Sequence, residues 1–408
     1  MRQYLDIAAE AVKEARWLTR ERLLRCGAFC AFVAIGVLAL DLAAHTMPGL
    51  TDARGEHFGR DFVQFWSSAR LAVTGRPEAA YVLGAPYHTT DQAISYPPII
   101  MLLCWPLAGL SYAHALLAWG SLGFALFAWS LSRLVGWEMA VLASIATPAA
   151  FINVFLQQNG FYTAGLLACG LMLVERRPVS SGILLGLLCY KPQFGMLLCP
   201  ALIAGGHWRV LLWAAATALV LAATSAIQFG PDTWIAFFAR TGVQRQFLES
   251  RDAAWPWMTS VFAMLRLVGA SPPASYLIQG LSTLSAVVAV VALWRGRCPH
   301  NVKCAGLAVA TFLATPYAWD YDAVVLTFAA AWLANEAVRT GFRPGEKITV
   351  FVWLTLPALS LIPAKFFDLQ IAPILLWLSL AVVMRRGLGL RLPVTSALVQ
   401  RPSGQSPI

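Results

Sequence analysis

At 408 residues, with 59% hydrophobic and 12% charged side chains and a mean hydropathy of +0.65, the chain has too little polar surface to cover a water-soluble globule. It reads as a polytopic, all-α membrane protein. The formal charge of +10 does not imply nucleic-acid binding, because most of the excess lies beside hydrophobic runs, where Lys and Arg select the cytoplasmic side and meet anionic membrane lipids.

Residues 1–25 form a basic, amphipathic leader containing Lys13, Arg16, Arg20, Arg22 and Arg25, expected on the cytoplasmic face. The first apolar run begins only near Cys26, so no cleavable signal peptide is expected. A crossing needs roughly 20 apolar residues, fewer where a helix is broken inside the protein, and on that basis the chain holds about twelve spans. Candidates are 26–46, 112–132, 137–153, 208–229, 275–294, 304–317, 322–337, 347–363 and 370–384, with the crowded stretch 159–205 supplying the rest. The membrane domain is thus 26–384, followed by a basic cytoplasmic tail, 385–408.

Charge settles the crowded stretch. Arg176/Arg177, Arg295/Arg297/Lys303, Arg339/Arg343/Lys347 and Arg385/Arg386 all become cytoplasmic if 180–190 and 193–205 cross separately, which puts Lys191 near the outer side. The same parity makes 97–110, with Pro97, Pro98 and Pro106, a re-entrant or interfacial segment. Both termini are then inside. The outer face collects the loop 47–96, the turn at Gln157-Gln158-Asn159-Gly160, the Lys191-Pro192-Gln193 break, the loop 230–274 and the segment Thr315 to Asp322. In the loop 230–274, Trp234, Trp255 and Trp257 stand among Arg240, Arg245 and Arg251, as an interfacial aromatic belt or, less simply, a substrate surface.

Within the first loop, a helix over 60–73 places Phe62, Phe65, Trp66, Ala69 and Val73 on one apolar stripe and Asp61, Gln64 and Ser68 on another face, so this helix is expected to lie along the outer membrane surface. Asp61 at its N-terminus is either a capping residue or a carboxylate kept ionised by the helix dipole and able to take a proton from a hydroxyl. Lys191 interrupts an apolar stretch with a cation that needs an anion, such as a phosphate, or else snorkels to the interface.

Cysteines offer no CxxC pair or disulfide framework, and Cys298, His300 and Cys304 fit no standard zinc spacing. Asp320-Tyr321-Asp322 reads as a DxD, yet aspartates two apart on a helix point about 200° away from one another. Asp320 is expected to cap a helix that begins near Tyr321, with Asp322 in its first turn. No metal and no cofactor is expected.

An ordered series of residues resembles the polyprenol-phosphate-dependent glycosyltransferases of family 87, in the GT-C superfamily: Asp61-Phe62 with Ala69-Arg70 and Gly75, Tyr96-Pro97-Pro98, Gln158-Asn159, Arg177-Pro178, Gly182 to Gly186, Lys191-Pro192-Gln193, and Thr315-Pro316-Tyr317 with Tyr321-Asp322. The resemblance covers roughly 55–335. It implies a GT-C-type fold and inverting transfer of a sugar, mannose by family default, from a polyprenyl-phosphate donor to a lipid or glycan acceptor at the outer side of the inner membrane. Asp61 falls at the family's general base. Arg60, Gln64, Tyr96, Gln158, Asn159, Lys191, Gln193, Tyr317, Asp320 and Asp322 are the companion candidates for holding the donor phosphate or substrate. Some relatives carry a histidine in the last motif, near the donor phosphate, where this chain has Tyr317-Ala318-Trp319-Asp320, so the resemblance does not fix donor identity or the phosphate ligands. The rival readings are a lipid-linked saccharide flippase and a polymerase or ligase acting without an Asp61 base; no internal repeat supports the first, and charges gather at span ends rather than along a path.

Overall fold

A computed structural model describes Ala15 and residues 17–84, 93–250 and 254–389. Lys13, Arg16, Arg251 and the tail beyond residue 389 lie outside the described residues. In chain order, α1 (Arg20–Ala44) leads into a first loop carrying α2 (Phe62–Val73) and α3 (Ile99–Cys104). There follow α4 (Tyr112–Val135), α5 (Trp137–Ala146), α6 (Pro148–Leu156) and α7 (Gly160–Leu173). The short α8 (Pro178–Gly186), α9 (Pro192–Gly195) and α10 (Leu198–Ala204) precede α11 (Trp208–Phe229), α12 (Pro231–Glu249) and α13 (Val261–Leu267). The chain closes with α14 (Pro272–Arg295), α15 (His300–Ala314), α16 (Val324–Thr340), α17 (Glu346–Phe367) and α18 (Ala372–Gly387). Among the described residues there is no β-strand, only isolated bridges such as Met258 with Trp319.

Local chemistry sets the helix starts. Proline opens α6, α8, α9, α12 and α14, where its missing N–H costs nothing and its φ already suits a helix. Hydroxyls of Thr19, Ser111 and Ser260 accept from Arg22, His114 and Ala263 N–H groups at the starts of α1, α4 and α13. Among the described residues, α1, α4, α11, α14 and α17 are long and apolar enough to cross a membrane, and α5 with α6 makes a sixth candidate bent by 65°.

The structure thus supports a helical membrane protein with five or six long candidate spans among the described residues, without establishing the count of about twelve. The segment 137–153 is not straight, because Pro148 cannot continue α5. The stretch 159–205 divides into short apolar helices, each less than about 30 Å long, which pack on α4, α11 and α14. The segment 304–317 is helical only to Ala314, and the later helix starts at Val324 rather than near Tyr321, after a 3₁₀ turn over Asp320–Ala323. Nor is 230–274 a plain loop, since it holds α12 and α13. Most of α15 is buried all round, which is the signature of a central helix; α14, α16 and α18 surround it.

The first-loop helix also departs from expectation. Both the apolar stripe and the Gln64 and Ser68 face of α2 are buried, and only its end, Val73, is well exposed. It packs on α3, on the turn Pro77–Tyr81 and against Tyr112 and Trp119 of α4. Protein therefore covers both of its faces. At the far end of the bundle Arg386 is buried too, bonded by Nε and Nη2 to the two Glu346 carboxylate oxygens at 2.5 and 2.7 Å. That bidentate pair clamps α18 to the start of α17 and takes Arg386 out of the basic tail.

Candidate active site

Asp61 sits where the first loop meets the α6–α7 junction. Its backbone N–H donates to the Leu156 carbonyl (3.1 Å), and Tyr112 Oη donates to the Phe58 carbonyl (2.8 Å), which fixes the turn entering α2. Gly59 makes that turn at φ +72°, and a Cβ there would stand 2.8 Å from Gln157 Cγ and 2.9 Å from Leu116 Cδ1, so only glycine fits. Asp61 occupies the N-cap position of α2 but makes no side-chain capping bond. Its Oδ2 instead accepts from Gln158 Nε2 at 2.8 Å. No donor among the described residues bonds Oδ1.

The orientation of the Gln158 amide is over-determined. Its Oε1 accepts from the Asn159 N–H (3.2 Å) and faces Tyr96 Oη (3.4 Å), so the Nε2 end must point to Asp61. Tyr96 is held in turn by Tyr81, whose Oη donates to the Tyr96 carbonyl at 2.9 Å. Asn153, with its amide turned to satisfy both ends, donates to the Gln158 carbonyl and accepts from Gly160 N–H, each at 3.0 Å. Asn153 and Gly160 escaped sequence reading. The signal for Asn153 was a lone amide in the apolar run 148–156; for Gly160 it was absent, since the close approach that demands glycine comes from the Asn153 side chain and from the Tyr321 carbonyl, which is distant in the chain and brought near only by folding.

A second polar group lies behind the first. Lys191 Nζ bonds Asp322 Oδ1 at 2.5 Å and Asn159 Oδ1 at 3.0 Å, with the Tyr321 ring 4.8 Å away. Lys191 is 1% exposed and Asp322 fully buried, so the lysine neither snorkels nor stands free for a ligand; its anion is part of the protein. Asp322 is likewise a partner of Lys191 and not simply a charge at a helix start. Asp320 Oδ1 accepts from Tyr321 N–H at 2.7 Å, while its Oδ2 is buried without a partner.

Other candidates fall outside this network. Arg60 is exposed beside Asp61. Gln64 is buried in α2, where its carbonyl accepts from the Ser68 hydroxyl. Gln193 is half-buried in α9 and makes none of these bonds. Tyr317 packs with Trp255, Met258 and Phe262, its N–H bonded to Thr315 Oγ1 at 3.1 Å, away from the Asp61 cluster.

Burial raises the Asp61 carboxyl above the ordinary aspartate range, against the opposing pull of the Gln158 bond and of Arg60. The dipole of α2 therefore does not dominate its ionisation. Asp320 is pushed up to about 7, first by burial and then by Asp322 and Asp61 despite the Tyr321 N–H. Beside Gln158 opens an apolar cavity of about 360 Å³, lined by Leu42 of α1, Phe58 of the first loop, Leu116 and Trp119 of α4, and Phe161 and Tyr162 of α7. The proline-broken segment 97–110 does not contribute to it. Gln158, which lines this cavity, bonds Asp61, and a partly buried carboxylate with one oxygen tied and the other unbonded is an arrangement able to accept a proton from a hydroxyl.

The profile of glycosyltransferase family 87 matches residues 94–316, more than half of the chain. No curated protein and no solved structure matches. The matched stretch contains Tyr96, Gln158, Asn159, Lys191 and Gln193; Asp61 and Asp322 stand outside it and reach these residues through the fold.

Proposed function

The chain belongs to glycosyltransferase family 87, and on that premise we propose that it transfers a sugar, mannose by family default, from a polyprenyl-phosphate donor to a lipid or glycan acceptor at the outer side of the inner membrane, inverting the anomeric configuration, with Asp61 as general base. The observation that carries this reading is the single bond to Asp61 Oδ2 from Nε2 of Gln158, a residue in the wall of an apolar cavity, which leaves Oδ1 without a hydrogen bond among the described residues.

The step then runs as one displacement. Asp61 Oδ1 takes the proton of an acceptor hydroxyl as that oxygen attacks the anomeric carbon. The bond from carbon to phosphate oxygen breaks, its electron pair leaving with the polyprenyl phosphate, and attack from the opposite face inverts the centre. The raised Asp61 carboxyl makes a stronger base than a solvated aspartate while Gln158 and Arg60 preserve its ionised form. Positive charge for the departing phosphate is better assigned to exposed Arg60 than to Lys191, whose charge Asp322 already neutralises. The cavity lined by Leu42, Leu116 and Phe161 suits an isoprenoid chain.

The experiment is incubation of the purified protein with a labelled polyprenyl-phosphate sugar and candidate acceptors. A glycosylated product of inverted configuration, with release of polyprenyl phosphate, supports the reading. A sugar lipid that only changes sides in liposomes, and is never consumed, would replace it with a flippase.

A further inference from the structure

We propose that α12 lies in the lipid–water interface, with its Ile235 and Phe238 face sunk into the bilayer at the end of α11. This inference stands apart from the reaction and does not depend on it.

Placement comes first. Helix α11 is one of the membrane-spanning candidates and only 11% of its most apolar stretch is buried in the protein, so its flank, including Leu219, Val220 and Ile227, meets lipid. Gly230, at φ +80°, and Pro231 end that helix and start α12 with no intervening loop. An element joined to a span by one turn cannot leave the membrane boundary at its own first residues. The Trp234 indole, bonded through Nε1 to Ser225 Oγ of α11 at 3.2 Å, ties the two helices across the corner.

The pattern on α12 then identifies what covers it. At about 100° per residue, Ile235, Phe238, Ala239, Gly242, Val243 and Gln246 share one exposed arc of about 140°. Ile235 is 65% and Phe238 62% exposed, in continuity with exposed Ile227 on α11. Charges stand only at the two ends of this face: Asp232 in the first turn, and the Arg245–Glu249 pair, 2.8 Å apart, in the last. Arg240 is on the other side. The opposite face meets the protein, where Phe237 packs on Tyr81 at 5.9 Å between ring centroids. The helix is not strongly two-faced; what favours the interface is its uncharged exposed arc continuous with a lipid-facing span, its charged ends and the tryptophan at the corner, while its modest apolar content disfavours a crossing.

The test uses the full-length protein in liposomes. With the native cysteines replaced, a nitroxide is placed on Phe238→Cys and, as a control on the flank, on Thr241→Cys. Collisions with oxygen should exceed those with a polar nickel complex at 238 and fall below them at 241. Photolabelling of the unsubstituted protein by a diazirine-bearing lipid, mapped by mass spectrometry, should place adducts on Ile235 and Phe238. A nitroxide at 238 more accessible to nickel than to oxygen would overturn the proposal in favour of water. One shielded from both reagents, together with absent adducts, would overturn it in favour of a covering protein segment.

Discussion

Replacing Gln158 by leucine should move the acid limb of the pH–activity profile to higher pH without removing activity at high pH. The 2.8 Å bond from Gln158 Nε2 to Asp61 Oδ2 is charge-assisted when the carboxylate is ionised, and such bonds contribute about 1.5–3 kcal/mol to the ionised form. Removing it leaves burial less opposed, because burial already raises this carboxyl and Gln158 is the larger of the two restraining influences. On the acid limb, where most Asp61 is protonated, the loss corresponds to about ten- to a hundredfold lower kcat/KM, since 1.4 kcal/mol is a factor of about ten. The sign follows from the direction of the shift. A base with a raised pKa is active above that pKa and is lost as pH falls through it, so the profile falls above the ordinary aspartate range and the variant falls earlier still. Gln158→Glu should displace the limb in the same direction through like charge. Transfer from a labelled polyprenyl-phosphate sugar, measured across pH at low donor concentration, provides the assay. A Gln158→Leu profile that is uniformly lower but not displaced would refute the coupling to Asp61 and leave Gln158 a packing residue.

The buried ion pair makes a stability prediction: Lys191→Met alone should cost about 3–5 kcal/mol by leaving Asp322 without its cation, whereas adding Asp322→Leu should recover much of that. Thermal unfolding in detergent reads both, and a double variant no more stable than the single one would contradict the account. Transfer should also persist in excess EDTA, because Asp322 is engaged by Lys191 and Asp320 by the Tyr321 N–H, so the DxD is not free to share a divalent ion. Complete loss restored by Mg²⁺ or Mn²⁺ would show that these carboxylates rearrange around a metal.

What the sequence made legible follows hydropathy. Long uninterrupted runs such as 208–229 and 112–132 became helices with nearly those bounds, because helix length in a bilayer and the absence of charge are local properties. Short runs are less legible for the same reason. The segments around 159–205 are apolar and short, and they pack on other helices while Ile183, Met196 and Ile203 stay exposed, so composition does not by itself separate a protein interior from lipid. Helix α12 was hidden in a supposed loop because its apolar residues are interspersed with polar and charged ones and form no continuous apolar run. Family motifs drew attention to Asp61, Gln158 and Lys191, and the chain brings Asp61 and Gln158 together across 97 positions. The pairing of Lys191 with Asp322, 131 positions apart, had no signature in spacing, so the lysine looked free for phosphate when its counter-charge was elsewhere in the chain.

The central claim is that Asp61 accepts the acceptor's proton, and Asp61→Asn measures it most directly, since the amide keeps the shape of the side chain and loses its basicity. The variant should unfold at the wild-type temperature and transfer sugar at a rate lower by about 10²–10⁴-fold, the range general base catalysis contributes, across the whole pH range. Transfer at the wild-type rate by a correctly folded Asp61→Asn protein would contradict the account.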